Sequence, residues 1–542
     1  MIKKTIIMKH RIIYALVILL VTLASCSKDF IDRPSLSGAS VSNYYNTADQ
    51  VRAATSTLYS GLVWGGYENR AMDAIAEIMS GNEISTGSDD APFQSLTISA
   101  TSIRLSDSWG AFYKIGGWTS ALIVTLEDKK AQGGDASILD PAIAECHFLR
   151  GTAYFYIARI WGDVPIVTDP GAIALSGDFN IPRYYKADVL RFAREELELA
   201  EAGLPETDVA GRLTTYSAKG MLAKLYLYQK DYANAKIKAG EVIASTHYGL
   251  VDDYAGMFNN SAYNNNKESL FSVQHQCTQN PWGSGNQLQC DRGPSNLQTD
   301  VASMWELYRP SLDILKAYEV GDKRRPGSIM EQGWKHLTWK PKKPPVDGQY
   351  SANDAAYNTF MANGYVYDTV QNTAQGGTLN GTRSNIAKYV VGPGTAYGGE
   401  NVIGMNTGIN FMVLRYADVL LIYAEATLGT AASTTDDGAI DAYNEVRRRA
   451  GLSEASSITL DDILQERRVE LAFEGDYWYD LTRQGFAYAK AAIESQNRGT
   501  VGAGNSKYIT TFTQSMMVLP IPTSESLQDP ALLEPPVHYY ND

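Results

Sequence analysis

Glu466, Glu470 and Glu474 recur at a spacing of four, which sets three carboxylates on one face of a helix. Carboxylates so grouped could do acid–base work if a nucleophile, a metal or a placed water stood beside them. No such partner is legible nearby, whereas Arg447, Arg448 and Arg467 supply counter-charges, so the residues read as a structural ion network. The motifs of common enzymes are missing as well. There is no Gly-x-Ser-x-Gly, no His-Glu-x-x-His, no phosphate loop and no dinucleotide glycine fingerprint. His147, His247, His275, His336 and His538 have no ligand-like spacing, and no pair of Cys-x-x-Cys motifs announces zinc. A glycosidase carboxylate pair has no spacing rule, so hydrolysis of a glycan stays open as the rival class; product release from a candidate glycan is its discriminator.

Cys26 carries the clearest chemistry. It closes Leu23-Ala24-Ser25-Cys26 after an apolar run at 12–24, and Lys3, Lys4, Lys9 and Arg11 precede the run. A basic start, a short apolar core and small residues at the cut make residues 1–25 a secretory signal of the lipoprotein kind. An uncut anchor is the alternative, but the run is well short of the ~20 residues that span a bilayer as a helix. Cleavage before Cys26 and acylation of its thiol would leave the protein tethered to a membrane by lipid. Asp29, close behind, resembles the acidic surface-export signal of Bacteroidetes lipoproteins, which implies an outer-membrane location facing the medium.

The chain of 542 residues can bury a large core, as one domain or two. The formal charge is -13, and removal of residues 1–25 takes away only basic side chains, which argues against nucleic acid as a partner. Tyrosine and tryptophan are abundant, at 34 and 9. Their flat faces with a polar handle suit sugars and protein interfaces, although packing must use most of them.

The elements that must position these residues fall into helical flanks around an irregular middle. Residues 26–250 form an N-terminal helical region and 251–542 a C-terminal one, expected to join in one structural unit. Cys146, Leu149, Ala153, Tyr156, Ile157 and Ile160 recur at helical spacing, and Gly162 to Pro165 end that helix. Ala218, Leu222 and Leu225 form one stripe and Ala235, Ala239, Val242, Ile243 and Thr246 another. Only Lys230 and Asp231 separate them, so the two helices fold back as a hairpin of tetratricopeptide-like character. From about 251 to 410, Asn, Gly, Gln, Ser and Tyr dominate and periodicity fades. In that stretch Trp334, Lys335, Trp339, Lys340, Lys342 and Lys343 read as a solvated extended loop, and Trp305 with Leu312, Leu315 and Tyr318 as a helix-like segment. Cys277 and Cys290 could pair in an oxidising compartment or stay thiols. Helices resume at Tyr416; Ala439, Tyr443, Val446 and Ala450 form a stripe ended by Gly451, and Thr459 with Asp462 reads as a capping box.

Five ordered blocks carry a resemblance. They are Ala144-Glu145-Cys146-His147-Phe148-Leu149-Arg150-Gly151 with Trp161-Gly162-Asp163-Val164-Pro165, then Leu414-Arg415-Tyr416-Ala417-Asp418, Asn444-Glu445-Val446-Arg447-Arg448, Glu466-Arg467-Arg468 with Phe473-Glu474-Gly475, and Leu519-Pro520-Ile521-Pro522. Together they resemble the SusD/RagB family of nutrient-binding lipoproteins over essentially the whole mature chain. His147 and Gly151 depart from the commoner residues there, which reads as local packing variation. The resemblance implies a mainly α fold with four tetratricopeptide-like helix pairs and a large irregular, loop-rich face carrying short strands. It implies a SusC-like TonB-dependent transporter as partner, an oligosaccharide or in some members a peptide as ligand, and no chemistry of its own. Calcium occurs in some members, but no Asp-x-Asp-x-Asp-Gly loop is present here, and no cofactor is expected.

In family members the sugar meets an N-terminal loop region and the irregular middle. The matching segments are 64–70, 82–93, 279–292 and the segment entering Trp305. The resemblance therefore points to Trp64, Tyr67, Phe93, Trp282 and Trp305 as stacking surfaces, and to Arg70, Asn82 and Asn286 as hydrogen-bonding partners. A pyranose needs a flat aromatic surface for its C–H face and a few placed polar groups for its hydroxyls.

Overall fold

Side-chain caps and glycines set the helix ends. The computed structural model describes residues 44–278, 281–294, 297, 304–339, 365–367, 384–395, 398–499, 509 and 511–541. The signal segment 1–25, Cys26 and Lys340, Lys342 and Lys343 lie outside these residues. Helices α1 (Ala48–Ser56) and α2 (Gly61–Glu68) lead into two long ones, α3 (Ile103–Ala131) and α4 (Ala136–Trp161). Asp135 caps α4 by accepting from Ser137 N, and Gly162, at a positive φ of 74°, ends it. Next come α5 (Lys186–Gly203), α6 (Thr215–Tyr228) and α7 (Tyr232–Ala244). The hairpin expected at Lys230 and Asp231 is present: Lys230 turns at φ 62° and Asp231 caps α7. After the middle come α8 (Tyr416–Leu428), α9 (Asp437–Ala450), α10 (Leu460–Glu470), α11 (Tyr477–Arg483) and α12 (Phe486–Ser495). The capping box of Thr459 and Asp462 starts α10, and Gly451 ends α9 at φ 76°.

The long helices pack in a row in chain order, α3 on α4, α4 on α5, α5 on α6, α6 on α7, α7 on α8 and α8 on α9. One continuous apolar core runs beneath the row and is shared by both flanks of the chain. The blocks at 147 and 151 now have a physical account. His147 Nδ1 lies 2.8 Å from Glu196 on α5, and Arg150 donates to both oxygens of that carboxylate. Gly151 lets the two helices touch. A Cβ there would lie 2.9 Å from Ala193 O and 3.0 Å from Glu196 Cβ. Gly151→Leu should therefore cost about 1–3 kcal/mol by forcing α5 away, read as a lower urea midpoint. An unchanged midpoint would mean that α5 yields freely.

The middle is built of short pieces. Strand β1 (Glu83–Ser85) pairs antiparallel with β3 (Tyr308–Pro310), and β2 (Ser269–Val273) with β4 (Phe411–Arg415). Pairing β1 with β3 ties the N-terminal flank to the middle, and pairing β2 with β4 places Arg415 at the entry to α8. The reading of Trp305 as helix-like is corrected: strand β3 and the cap Ser311 intervene, and the helix spans only Leu312–Ala317. Within the described residues 334–339, the solvated-loop reading is corrected at Trp339. Trp339 is 2% exposed, stacks on His336 at 4.1 Å and packs with Met304, Met330, Tyr367 and Val390 in a small second core. A Cβ on Gly392 would meet that ring at 2.5 Å, so only glycine lets the loop close over Trp339.

Candidate ligand-binding site

Among the described side chains of the proposed set, Trp305 is the most exposed, at 44%. Its loop is held by backbone. Trp305 N donates to Cys290 O, Leu307 N donates to Asp291 O, both at 2.7 Å, and Thr86 N donates to Leu307 O at 3.0 Å. Below, Met304 fills the space beside Gly293, where a Cβ would meet Met304 Sδ at 1.9 Å. β3 then leaves the loop to pair with β1. Arg70 comes from the turn after α2, and its guanidinium lies over the Trp305 ring at 4.7 Å from the centroid. Asp291 grips that guanidinium with both oxygens, at 2.9–3.2 Å from Nε and Nη2. Asp291 is buried, and desolvation raises its carboxyl to about 6 although Arg70 pulls the other way. Arg70 and Trp305 are thus brought together. Asp291 was missed: it lies inside 279–292, but nothing in its sequence surroundings marks it.

The other proposed contacts are placed differently, and for five of them burial is a correction. Trp64 is 2% exposed, donates its indole N–H to Leu58 O at 2.9 Å and meets Phe112 and Phe271 edge-on. Tyr67 packs on Phe112 and Tyr156 and shares a 3.2 Å hydrogen bond with Tyr479 Oη. Phe93 is wholly buried. A stacking surface needs an open face, and these three rings have theirs against the core. Asn82 and Asn286 are buried too. Asn82 donates to Glu77 and accepts from Arg468 Nε, both at 2.9 Å, and Asn286 donates to Ile409 O and accepts from Leu288 N. Both amides stitch distant backbone segments together. Trp282 sits in the helical turn Pro281–Ser284, and its side chain lies outside the described residues.

Glu466 and Glu470 of α10 form part of a buried ion network together with Glu474. Glu474 lies four residues past the end of the helix in a turn, so the expected three-carboxylate helix face is corrected to two. Five cations (Arg324, Lys388, Arg415, Arg447 and Arg449) meet five carboxylates (Glu268, Asp322, Glu466, Glu470 and Glu474), with Glu319 at the exposed rim. Arg447 is a partner, as the sequence suggested; Arg467 instead binds Asp418 and Asp480, and Arg448 reaches Glu454 on the surface. Burial alone would raise the Glu470 carboxyl, but Arg449, Arg415 and Arg324 hold it well below the usual carboxylate range. Burial lowers Lys388 to about 8 against the pull of Glu474. These groups are occupied with one another.

Among the described residues no group of three or more His, Cys, Asp or Glu side chains could hold a metal ion, and no helix is long and apolar enough to cross a membrane. Cys146 and Cys290 are buried thiols, so no 277–290 bridge is formed; the Cys277 thiol lies 3.4 Å from Asn406 O. Two open clefts lie elsewhere. One of about 240 Å³ is lined by Arg212, Tyr248, Asn265 and Lys267, and one of about 200 Å³ by Glu319, Tyr443, Arg447 and Glu466. Arg212 is engaged with Thr55 and Glu145, Tyr248 with Thr214, and Asn265 with Gln274. In the second cleft Arg447 lies over Tyr443, but that ring is buried, whereas the Trp305 ring beside Arg70 has an open face.

The model of the SusD family matches residues 267–538, and a second, described as starch-binding associating with outer membrane, matches 41–227. A SusD-like protein of Bacteroides ovatus is 30% identical over 95% of this chain and 96% of its own length. The chain belongs to the SusD family. Among solved structures, one described as in complex with a xylogluco-oligosaccharide is 28% identical with a TM-score of 0.75, covering 91% of this chain and 99% of that one. A structure described as a laminarin-binding SusD-like protein shares the fold at 23% identity and a TM-score of 0.67, over 90% and 98% of the two chains. The helix-rich architecture with few short strands is that of the family.

Proposed function

We propose that this chain is a cell-surface glycan-binding lipoprotein that captures oligosaccharide at Trp305 and Arg70 and hands it to a SusC-like TonB-dependent transporter. The observation that carries the reading is the half-exposed Trp305 ring, fixed by backbone on both sides and backed by a guanidinium. Such a platform offers an apolar face for sugar C–H groups and N–H donors beside it for hydroxyls. The xylogluco-oligosaccharide held by a 28% identical relative supports a glycan as the ligand class. In this reading the protein binds and does no chemistry, and the carboxylates Glu466, Glu470 and Glu474 are held in ion pairs. The test is retention of the purified mature protein on immobilised polysaccharides, xyloglucan among them; no retention on any would overturn the reading.

The anchor is part of the proposal. Cys26→Ala should release the protein from the outer membrane or leave it unprocessed, measured by fractionation and by protease shaving of intact cells. A wild-type protein cut only after lysis would place it inside. We further propose that the hairpins at 214–246 and 416–450 hold the transporter while the irregular face takes the sugar. Ile237 of α7 is apolar and 55% exposed. Ile237→Asp should weaken co-purification with the transporter and leave glycan affinity unchanged; the reverse pattern would exchange the two faces.

A further inference from the structure

The elements that build the Trp305 platform carry four guanidiniums, and each is bound by a carboxylate. Arg70 is held by Asp291, Arg104 by Asp90 at 2.8 Å, Arg309 by Glu306 at 3.2 Å, and Arg292 by Asp73. Asp291 is 1% exposed. Asp89 adds a further carboxylate at this rim, 60% exposed and only loosely paired, at 3.9 Å from Arg104. Resting on the glycan-binding reading above, we infer that this site selects neutral sugars and rejects uronate- and sulfate-bearing ones, with Asp291 as the specificity-determining residue.

An anionic sugar placed on Trp305 could gain Arg70 only by drawing it from Asp291. That would strand a buried carboxylate without its counter-charge, which disfavours the exchange strongly. Asp89, three residues beyond the Thr86 that pairs with Leu307, adds negative charge to the field such an anion would meet. A neutral sugar needs no exchange. Its hydroxyl oxygen accepts an N–H of Arg70 while the Arg70–Asp291 pair stays closed, and its C–H face lies on the open part of the indole. Because Asp291 also holds Arg70 over the ring by Nε and Nη2, it fixes the direction in which those N–H groups point. Discrimination here comes chiefly from a penalty against the wrong ligand.

The test compares the mature protein with a panel of neutral probes (xylogluco-, cello- and laminari-oligosaccharides) and two anionic ones, oligogalacturonate and chondroitin sulfate oligosaccharides, at low ionic strength. The wild type should bind at least one neutral probe, and both anionic ones about tenfold more weakly or less. Asp291→Asn should raise affinity for the anionic probes by about tenfold, with a salt dependence that the wild type lacks, while Asp291→Glu keeps the wild-type preference. Asp89→Asn, an exposed change that leaves the packing intact, should raise anionic affinity in the same direction by a smaller factor, so the proposal stays testable if Asp291→Asn does not fold. An anionic probe bound by the wild type as tightly as the best neutral one would overturn the charge selection, as would unchanged anionic affinity in the folded variants. Absence of binding to every probe would overturn the glycan reading beneath it.

Discussion

Arg415→Met should lower the unfolding free energy by about 3–5 kcal/mol. Arg415 is 1% exposed and stands at the centre of the α10 network. Its Nε and Nη2 donate to Glu474 at 2.7 and 2.9 Å, Nη1 reaches Glu268 at 3.1 Å and also binds Glu470, and Nη2 donates to Glu470 O at 2.7 Å. Methionine matches much of the volume but none of the charge. It leaves Glu268, Glu470 and Glu474 buried against fewer cations and strands their lone pairs. The penalty is that of uncompensated charge, not of the lost contact alone, so it should persist in high salt, where exposed pairs are screened. Arg415→Lys should recover only part of it, because one ammonium cannot reproduce the forked contacts to three carboxylates. Urea unfolding of the mature protein measures the difference. A loss below about 1 kcal/mol would show that water or rearranged cations replace the guanidinium, and that the network is not the keystone of the C-terminal flank.

Trp305→Ala should weaken neutral-glycan binding by well over tenfold, about 2 kcal/mol or more, with the fold untouched. The two halves of that statement rest on the same observation. A ring 44% exposed at the end of a backbone-held loop contributes little to the core, so its removal should leave circular dichroism and the urea midpoint as they were. What it removes is the exposed aromatic face beside Arg70. Calorimetry with whichever neutral oligosaccharide the wild type retains gives the number, and Trp282→Ala in parallel asks whether the turn at Pro281–Ser284 contributes a second surface. Unchanged affinity in folded Trp305→Ala would sink this site. By contrast, Trp64→Ala and Phe93→Ala should unfold the protein before they inform on binding, since both rings lie in the core.

What could be read in the sequence follows a physical division. Helices with apolar stripes, caps and terminal glycines were legible because their signals are local: Gly162 at the end of α4, Thr459 with Asp462 at the start of α10, Gly451 after α9. The blocks that resemble the family were legible too, and the structure shows what they hold. Arg150 binds Glu196, Asp163 accepts from Lys186 N at the start of α5, Arg415 and Glu474 meet, and Asp418 takes both Lys224 and Arg467. These are fold determinants. The platform lies outside the quoted blocks, in segments without periodicity, so the sequence could name regions but not which ring faces out. Trp64 and Trp305 are the same residue type in matching regions; burial separates them, and burial depends on long-range packing against Phe112 and Phe271 that no local spacing encodes. The partners of the α10 carboxylates were half legible for the same reason. Arg447 lies on the helix preceding α10, whereas Arg324 and Lys388 arrive from the irregular middle.

Asp291 holds both halves of the platform: its backbone carbonyl fixes the loop of Trp305, and its side chain fixes Arg70. Neither residue can shift without the other, so a sugar arrives at a surface already in its binding shape. Little conformational entropy remains to be lost on capture, and none of the encounter time goes to waiting for a loop to order. Stopped-flow association rates that rise linearly with sugar concentration, with no plateau, would be the signature; saturation would reveal a slow rearrangement. A rigid single-ring surface of this kind also releases quickly, because its affinity comes from few contacts. Fast exchange is what the proposed hand-over to a transporter would need: a carrier that passes its cargo on works best when it never holds that cargo long.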